Sequence, residues 1–490
     1  MKKIIFLSLL DLFIVFGSLC QKLNAQHKYT EPYRPQFHFS PEKGWMGDPS
    51  GLIYYQGKYQ MFWWGKATST DLVYYKQESP KVMTGDDGSI EYFTGSMAVD
   101  KNNTTGFGKD AMVAAYTVYN KASKNQAQGI SYSTDGLVFN YYKGNPVLDI
   151  GSTEFRDPTI FWYAPTSKWI MVVSKALEKT IKFYTSDDMK TWTWLSDFGP
   201  AGAQEKAWEC PDLFQIAVDG NPNNKKWVLL VSIDWAREQY FVGNFDGKSF
   251  ALDKSNSTEP LYVDFGLDFY ASRTFRDYDN TLRTTTSIGW IATWDYATIV
   301  PTSWGKGFWS IPRDLELKTY PDGIRLLQKP IANLQKLRTS PVSFVSKLAK
   351  GTSKLAKFAP QENIYEIDAT FATKTPNVFG FNLCVGEGRK VLFSYDTRSE
   401  LLNIDRTNCS NVPIEKFARK TSTKVTPING KLRMHFYVDK SSIELFTNEG
   451  KIVFTLLTYA GENQTGIETF AENEGTIMNV KAWKLKSIWK

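Results

Sequence analysis

A recurring aspartate turn is the feature that most limits what this 490-residue sequence can fold into. The turn occurs at Asp71, Asp135 and Asp188, with a weaker copy at Asp246, so the aspartates are 64, 53 and 58 residues apart. One such turn would be ordinary hairpin chemistry. Several copies at even spacing of this size instead indicate a repeat whose unit is one four-stranded propeller blade, since a blade has about this length. The radial arrangement of blades also leaves few exposed sheet edges. The four copies, together with residues 270–315, predict about five blades.

The remaining pattern is that of an all-β chain. Short runs of β-branched and aromatic residues are separated by Gly, Asn and Asp, and helical periodicity is nearly absent. The texture changes near residue 330, after which stretches such as 432–438 alternate between two faces, as the strands of a sandwich do. The sequence therefore predicts a five-bladed β-propeller over 30–330, a linker over 331–344 and a C-terminal β-sandwich over 345–490.

The first 25 residues have the layout of an export signal. A lysine pair precedes the apolar stretch 4–19, and a small residue ends the segment 1–25. A buried N-terminal helix is the alternative. Cys20 makes a lipid-anchored surface protein a further alternative, but the preceding residue, Leu19, is not the small residue that lipid-attachment sites prefer. We expect an exported protein, periplasmic or extracellular, with no transmembrane segment in the mature chain, because no later stretch has about 18 uninterrupted apolar residues.

Charge and cysteine content exclude other classes. The net charge is only +7 and the basic residues are scattered among acids, so no nucleic-acid partner is expected. Cys210, Cys384 and Cys409 show no C-x-x-C spacing, so no disulfide framework holds the fold. Cys384 and Cys409 either pair in an oxidising compartment or remain buried thiols. With three His and no metal-ligand cluster, neither a metal nor a cofactor is expected.

A second repeat pattern carries the candidate chemistry. Asp48-Pro49, Asp157-Pro158 and Glu209-Cys210-Pro211 each place an acid and a proline directly before an apolar strand. If these are the innermost strands of three blades, their carboxylates converge at one end of the central axis. Glycoside cleavage needs two carboxylates that flank the scissile bond. Aromatic faces on which a sugar could rest lie nearby at Trp45, Trp64, Trp162, Trp208 and Trp290, although core packing is the favoured explanation for any one of them taken alone.

The residues around these acids carry a family resemblance. Residues 45–51, Trp-Met-Gly-Asp-Pro-Ser-Gly, closely resemble the opening motif of glycoside hydrolase family 32, the invertases, inulinases and levanases. Residues 156–158 and 208–211 are similar to its second and third motifs, in the same order. Further similar segments cover nearly the whole mature chain, at 93–96, 268–271, 289–291, 309–315 and 438–446.

This resemblance implies a propeller followed by a sandwich that acts on β-fructofuranosides, with a fructan (levan or inulin), a fructo-oligosaccharide or sucrose as substrate. It implies that Asp48 is the nucleophile, that Glu209 is the acid and base, and that Asp157 binds fructose hydroxyls and stabilises the transition state. Arg156 is expected to favour the ionised form of Asp157. The candidate substrate-binding residues are Trp45, Trp64, Phe93, Ser96, Arg156, Tyr270 and Trp290.

The sequence departs from the family pattern near the acids. Gly47 and Ser50 replace the Asn residues that normally flank Asp-Pro, and the strand that begins at residue 59 runs directly into Trp64-Gly65 without the loop, carrying a polar Gln and Asn, that normally intervenes. Lys66 stands where His is usual, and Arg273 stands near a position that is often Gln; each either contacts an acidic substituent or is solvated on a blade rim. The changes at Gly47, Ser50 and the loop leave one alternative to a fructan hydrolase, a carbohydrate-binding propeller with weak or lost hydrolysis. The second alternative is a related glycosidase that acts on another furanoside such as arabinan, because arabinan-acting propellers also use three converging acids.

Overall fold

A computed structural model describes residues 29–84, 88–254 and 259–489. The predicted export signal, including Cys20, lies outside the described residues.

Five antiparallel four-stranded sheets follow one another along the chain as the blades of a propeller. From the innermost strand outward, their strands are Gly51–Tyr55, Lys58–Phe62, Lys66–Ser69 and Lys76–Glu78 in blade 1; Ile90–Asp100, Ala111–Asn120, Gln126–Ser133 and Val138–Tyr141 in blade 2; Phe155–Tyr163, Lys168–Lys175, Thr180–Ser186 and Thr193–Phe198 in blade 3; Trp208–Val218, Asn221–Ile233, Arg237–Phe245 and Phe250–Leu252 in blade 4; and Tyr270–Thr274, Thr285–Trp290, Arg313–Tyr320 and Gly323–Pro330 in blade 5.

Short elements complete the propeller. Gly44–Trp45 pairs in parallel with Gly305–Lys306, and a single bridge from Val218 to Leu317 joins blades 4 and 5. The other short strands are Lys81–Thr84, Leu148–Ser152, Leu261–Tyr262 and Arg276–Asp277, and the 3-10 helices are Ala164–Thr166, Ala176–Glu178, Ala297–Ile299 and Ala332–Leu337. Within the described ranges, no helix has the length and apolar character needed to cross a membrane.

The repeated aspartates occupy equivalent positions. Asp71, Asp135, Asp188 and Asp246 each lie in the turn between the third and fourth strands of blades 1 to 4. In every copy the Oδ1 atom accepts the backbone N–H groups two and three residues further on, at 2.7–3.1 Å. The repeat therefore reflects one local structure, in which the carboxylate closes the turn before the outer strand.

Two six-stranded sheets form the sandwich. In spatial order the first contains Arg338–Lys347, Ile477–Leu485, Tyr365–Ala372, Lys431–Asp439, Ser442–Thr447 and Ile452–Leu457; the second contains Gly351–Lys354, Gly466–Ala471, Val378–Gly386, Arg389–Asp396, Leu401–Asp405 and Lys420–Lys424. Buried phenylalanines, including Phe371, Phe379 and Phe436, fill the space between them. Residues 331–344, the predicted linker, contain the last 3-10 helix and the beginning of strand Arg338–Lys347, which pairs with Ile477–Leu485.

A buried charged network joins the sandwich to the propeller. His38 contacts Asp439 Oδ2 through Nδ1 at 2.8 Å and Glu444 Oε1 through Nε2 at 2.9 Å. Arg313 Nε also donates to Glu444 Oε2 at 3.1 Å. Burial opposes a charge on His38, but the hydrogen bonds and negative charges of Asp439 and Glu444 outweigh it and raise the pKa of His38 to about 9. The two domains thus share a buried set of charges in addition to apolar packing.

Of the two alternatives for Cys384 and Cys409, a disulfide and free thiols, the structure has free thiols. Cys210, Cys384 and Cys409 are all buried and free. Burial raises the pKa of the Cys409 thiol to about 12 and that of Cys384 still further, so these side chains behave as small apolar core residues.

Candidate active site

The three predicted acids meet at one end of the propeller axis. Asp48 lies in the loop that enters blade 1, whereas Asp157 and Glu209 lie at the beginnings of the innermost strands of blades 3 and 4. Cys210 connects two of them: its N–H donates to Asp157 Oδ2 at 3.1 Å, and its Sγ lies 3.6 Å from that oxygen and 3.7 Å from Asp48 Oδ2. The predicted convergence of the carboxyl groups is therefore present in the structure.

The acid-proline pairs explain why these side chains point toward the axis. The strand register shifts between Arg156 and Thr159 and again between Glu209 and Asp212. Asp157 and Cys210, which precede the prolines, have positive φ angles of 64° and 49°. Because proline has no N–H to give to the ladder, it fits at such a bulge, and the bulge redirects the neighbouring side chain.

A cavity of about 580 Å³ opens above the acids, a volume in the usual range for small-molecule sites. Seven of the ten predicted site residues line it: Trp45, Asp48, Trp64, Phe93, Arg156, Asp157 and Glu209. Sequence reasoning did not assign a role to several other lining residues, among them Tyr92, Thr94, Gln126, Glu154 and Trp294.

Asp48 is held in a nearly enclosed position. Thr94 Oγ1 donates to its Oδ2 at 2.7 Å, while Oδ1 has no hydrogen-bond partner among the described residues. Trp309 Nε1 donates to the carbonyl of Gly47 at 3.1 Å and fixes the preceding backbone. Burial raises the pKa of Asp48 to about 6; the Thr94 bond opposes this rise and the charge of Glu209 adds to it.

Glu209 is positioned by two donors. Arg156 Nε donates to its Oε1 at 2.8 Å, and the Tyr270 hydroxyl donates to its Oε2. Arg156 also donates through Nη1 to Glu154 Oε2 at 2.6 Å and to Gln126 Oε1 at 3.1 Å. The guanidinium thus orders a polar wall of the cavity around Glu209, which keeps 14% of its side chain exposed.

Asp157 is the most enclosed of the three acids. Its N–H donates to Thr117 Oγ1 at 2.8 Å, which ties blade 3 to blade 2. Burial raises the pKa of Asp157, and the charge of Glu209 adds to the rise. Arg156 favours the ionised form of Asp157, as expected, but burial and the charge of Glu209 outweigh its effect. The direct hydrogen bond of the Arg156 guanidinium is to Glu209.

Three predicted substrate-binding residues are not among the described residues that line the cavity. Ser96 Oγ accepts the N–H of Ile160 at 3.0 Å and joins two blades. Trp290 is fully buried beneath Trp45, with ring centroids 5.7 Å apart. Tyr270 is also fully buried, and its hydroxyl contacts the site through the hydrogen bond to Glu209. In this structure all three support the residues that face the cavity.

The departures from the family pattern divide into two groups. Gly47 and Ser50 line the cavity, and a Cβ atom at Gly47 would lie 2.8 Å from Trp45 Nε1. The Trp45 ring therefore occupies the space that a side chain at position 47 would need.

Lys66 and Arg273 do not belong to the cavity wall. Lys66 Nζ is buried, donates to the carbonyl of Gly136 at 2.9 Å and pairs with Glu78 at 3.3 Å. Arg273 is buried as well, and its Nη1 donates to Thr159 Oγ1 and, at 2.7 Å, to the carbonyl of Pro211. Both predicted placements, a substrate contact and a solvated rim, are therefore wrong: Lys66 joins blade 1 to blade 2, and Arg273 joins blade 5 to blades 3 and 4.

Comparison with known proteins decides the family. Residues 38–330 match the glycosyl hydrolases family 32 N-terminal domain, and residues 333–484 match the family 32 C-terminal domain. The chain belongs to glycosyl hydrolase family 32. The resemblance inferred from the three motifs is thereby confirmed.

Relatives agree over nearly the full length. The chain is 37% identical over 491 residues to a levanase of Bacillus subtilis (strain 168), covering 94% of this chain and 72% of the relative. It is 31% identical to an extracellular exo-inulinase of Aspergillus awamori, covering 98% of each. The crystal structure of exo-inulinase from Aspergillus awamori superposes with a TM-score of 0.86 at 30% identity, covering 94% of this chain and all of that one. The predicted fold class, a propeller followed by a sandwich, is confirmed.

Proposed function

We propose that this family 32 chain hydrolyses β-fructofuranosidic bonds in levan, inulin or sucrose with retention of configuration. The observation that carries the proposal is the meeting of Asp48, Asp157 and Glu209 at one cavity, linked through Cys210. Relatives named levanase, exo-inulinase and invertase support the choice of substrate. The reaction needs no cofactor, since two carboxyl groups supply the nucleophile and the proton.

The first step forms a covalent intermediate. A carboxylate oxygen of Asp48 attacks the anomeric carbon of the fructosyl unit. The bond from that carbon to the leaving oxygen breaks, its electron pair goes to that oxygen, and the oxygen takes a proton from Glu209. Asp157, which lines the same cavity, hydrogen-bonds fructose hydroxyls and stabilises the positive charge that develops on the sugar.

The second step releases fructose. The Glu209 carboxylate takes a proton from a water molecule, whose oxygen attacks the anomeric carbon and displaces Asp48. Two inversions at one carbon give net retention. Tyr270 and Arg156 keep the Glu209 carboxyl group in one orientation for both proton transfers.

The test is hydrolysis by the wild-type protein and by its Asp48→Ala and Glu209→Ala variants. Each is incubated with levan, inulin and sucrose between about pH 5 and 8, and the products are separated by chromatography. We expect fructose or fructo-oligosaccharides from the wild type alone, with NMR showing the β-anomer first. An inactive wild type that still binds inulin in calorimetry would favour the carbohydrate-binding alternative, and products from both variants would refute the assigned roles.

The site of action is proposed to be outside the cytoplasm. The signal-like pattern of residues 1–25 supports this, and so does the word extracellular in the name of the Aspergillus relative. N-terminal sequencing of protein from the culture medium or periplasm should begin at Gln26, and deletion of residues 1–25 should retain the chain in the cells. Release of the deletion variant at the wild-type level would refute the proposal.

A further inference from the structure

Exposed tryptophans concentrate at the cavity end of the propeller. Large indole rings left in water mark binding surfaces when they cluster. In the described part of the chain the tryptophans with large exposed fractions are Trp45 (39%), Trp64 (37%), Trp194 (57%), Trp235 (40%) and Trp294 (44%). Trp45, Trp64 and Trp294 line the cavity itself.

Topology brings Trp235 to the same end. Glu209 is the second residue of the innermost strand of blade 4 and pairs with Ser232 near the end of the next strand, Asn221–Ile233. The turn that follows, at residues 234–236, therefore lies at the end of the blade that carries Glu209. Trp64 occupies the corresponding turn of blade 1, and Trp294 lies in the corresponding loop of blade 5.

Direct contacts attach Trp235 to the cavity wall. Its carbonyl accepts the N–H of Trp294 at 3.1 Å and the hydroxyl of Thr293 at 3.2 Å. Trp294 in turn stacks on Trp45, with centroids 5.7 Å apart and an interplanar angle of 27°. The Trp45 and Trp294 rings are thus in contact at the cavity, and backbone hydrogen bonds hold Trp235 next to Trp294 on blade 4.

The Trp235 ring is held in place without being covered. Lys206 Nζ lies 5.0 Å from its centroid and pairs with Asp234 Oδ1 at 2.9 Å. The residue still has 40% of its surface exposed. A fixed, flat apolar face of this kind suits the C–H face of a sugar ring and gives up little conformational freedom on binding.

We propose that Trp235, together with Trp294, binds the units of a fructan chain that extend beyond the cavity, so that the enzyme favours chains over sucrose. This inference rests on the proposed function, because it assigns the rings to that same substrate class. Trp235 does not line the cavity, so a disaccharide held at the acids would not contact it, whereas a chain that leaves the cavity past Trp294 would.

The test compares substrates of different length with the variant Trp235→Ala. We expect a rise of about five- to tenfold in KM for inulin and levan, with kcat unchanged and with sucrose hydrolysis within about twofold of wild type. Trp235→Phe should recover most of the loss. Trp194→Ala is the matched control, because Trp194 is more exposed but lies on the outermost strand of blade 3; it should change none of these values.

Two outcomes would overturn the inference: an unchanged KM for both polymers, or an equal loss on sucrose and on polymers. If the wild type hydrolyses none of the three substrates, the proposed function fails, and the inference is then judged by calorimetry alone. In that case Trp235→Ala should weaken the binding of an inulin oligosaccharide of about five units and leave binding of sucrose unchanged. Equal affinities of the variant and wild-type proteins for the oligosaccharide would refute it.

Discussion

Removal of the hydroxyl of Thr94 should shift the pH range in which the enzyme works. Thr94 Oγ1 donates to Asp48 Oδ2 at 2.7 Å, and the other carboxylate oxygen has no partner among the described residues. Apart from the longer Cys210 Sγ contact at 3.7 Å, this bond is the main local stabilisation of the ionised form. Thr94→Val keeps the shape of the side chain and removes the donor.

The size of the shift follows from the strength of the bond. A hydrogen bond to a charged group contributes about 1.5–3 kcal/mol, and a tenfold change in an ionisation equilibrium corresponds to about 1.4 kcal/mol. Its loss should therefore raise the pKa of Asp48 by about one to two pH units. Burial already places that pKa at about 6, so the variant should need a pH of about 7–8 for half of its Asp48 side chains to be ionised.

The assay is the pH dependence of kcat/KM for sucrose, which reports ionisations of the free enzyme. The acidic limb of the Thr94→Val profile should move to higher pH, with a loss of about eightfold or more at pH 5.5 and a much smaller loss at pH 8.5. Thr94→Ser keeps the donor and should follow the wild type. An unchanged acidic limb, or a loss of the same size at every pH, would refute the argument that this hydroxyl acts by keeping Asp48 ionised.

Two further predictions concern the domain interface and the cavity wall. His38→Gln should lower the free energy of unfolding measured by urea denaturation, and the difference from wild type should shrink by about 3 kcal/mol between pH 6 and pH 9.5. The reason is that the pKa of His38 is about 9 in the fold and 6.5 ordinarily. Its stabilising contribution is therefore complete below pH 6.5 and is lost as the pH rises through 9. A pH-independent difference would contradict this. Gly47→Asn should lower kcat/KM by displacing the Trp45 ring, whose Nε1 atom lies 2.8 Å from the added Cβ. If displacement of the ring is the cause, a Gly47→Asn, Trp45→Ala double variant should lose no more activity than Trp45→Ala alone. Additive losses would count against this explanation.

The parts of the fold that the sequence predicts are those whose cause is local. The aspartate turn needs only a carboxylate and the N–H groups two and three residues further on, so each copy can be read without knowledge of the rest of the chain. The acid-proline pairs are local in the same sense, because the missing proline N–H favours a bulge wherever the strand lies. Their even recurrence then indicates the radial arrangement that brings the acids together.

The parts that the sequence does not predict depend on which blades become neighbours. Thr94 belongs to blade 2 and Asp48 to the loop before blade 1, and their spacing in the sequence does not predict the hydrogen bond between their side chains. Trp235 and Trp294 are likewise brought together only by the packing of blade 5 beside blade 4.

Arg273 shows the same limit for burial. A guanidinium is usually exposed, so its sequence context suggests a rim position. The closing of the propeller places it instead between the innermost strands of blades 3 and 4, with Nε and Nη2 lacking partners among the described residues. A buried cation is costly unless opposite charge lies close by, and Arg273 lowers the pKa of Asp48 against the effect of burial. A residue outside the cavity wall thus affects Asp48, the proposed nucleophile, through its charge, and neither a motif nor the set of cavity-lining residues reveals that effect.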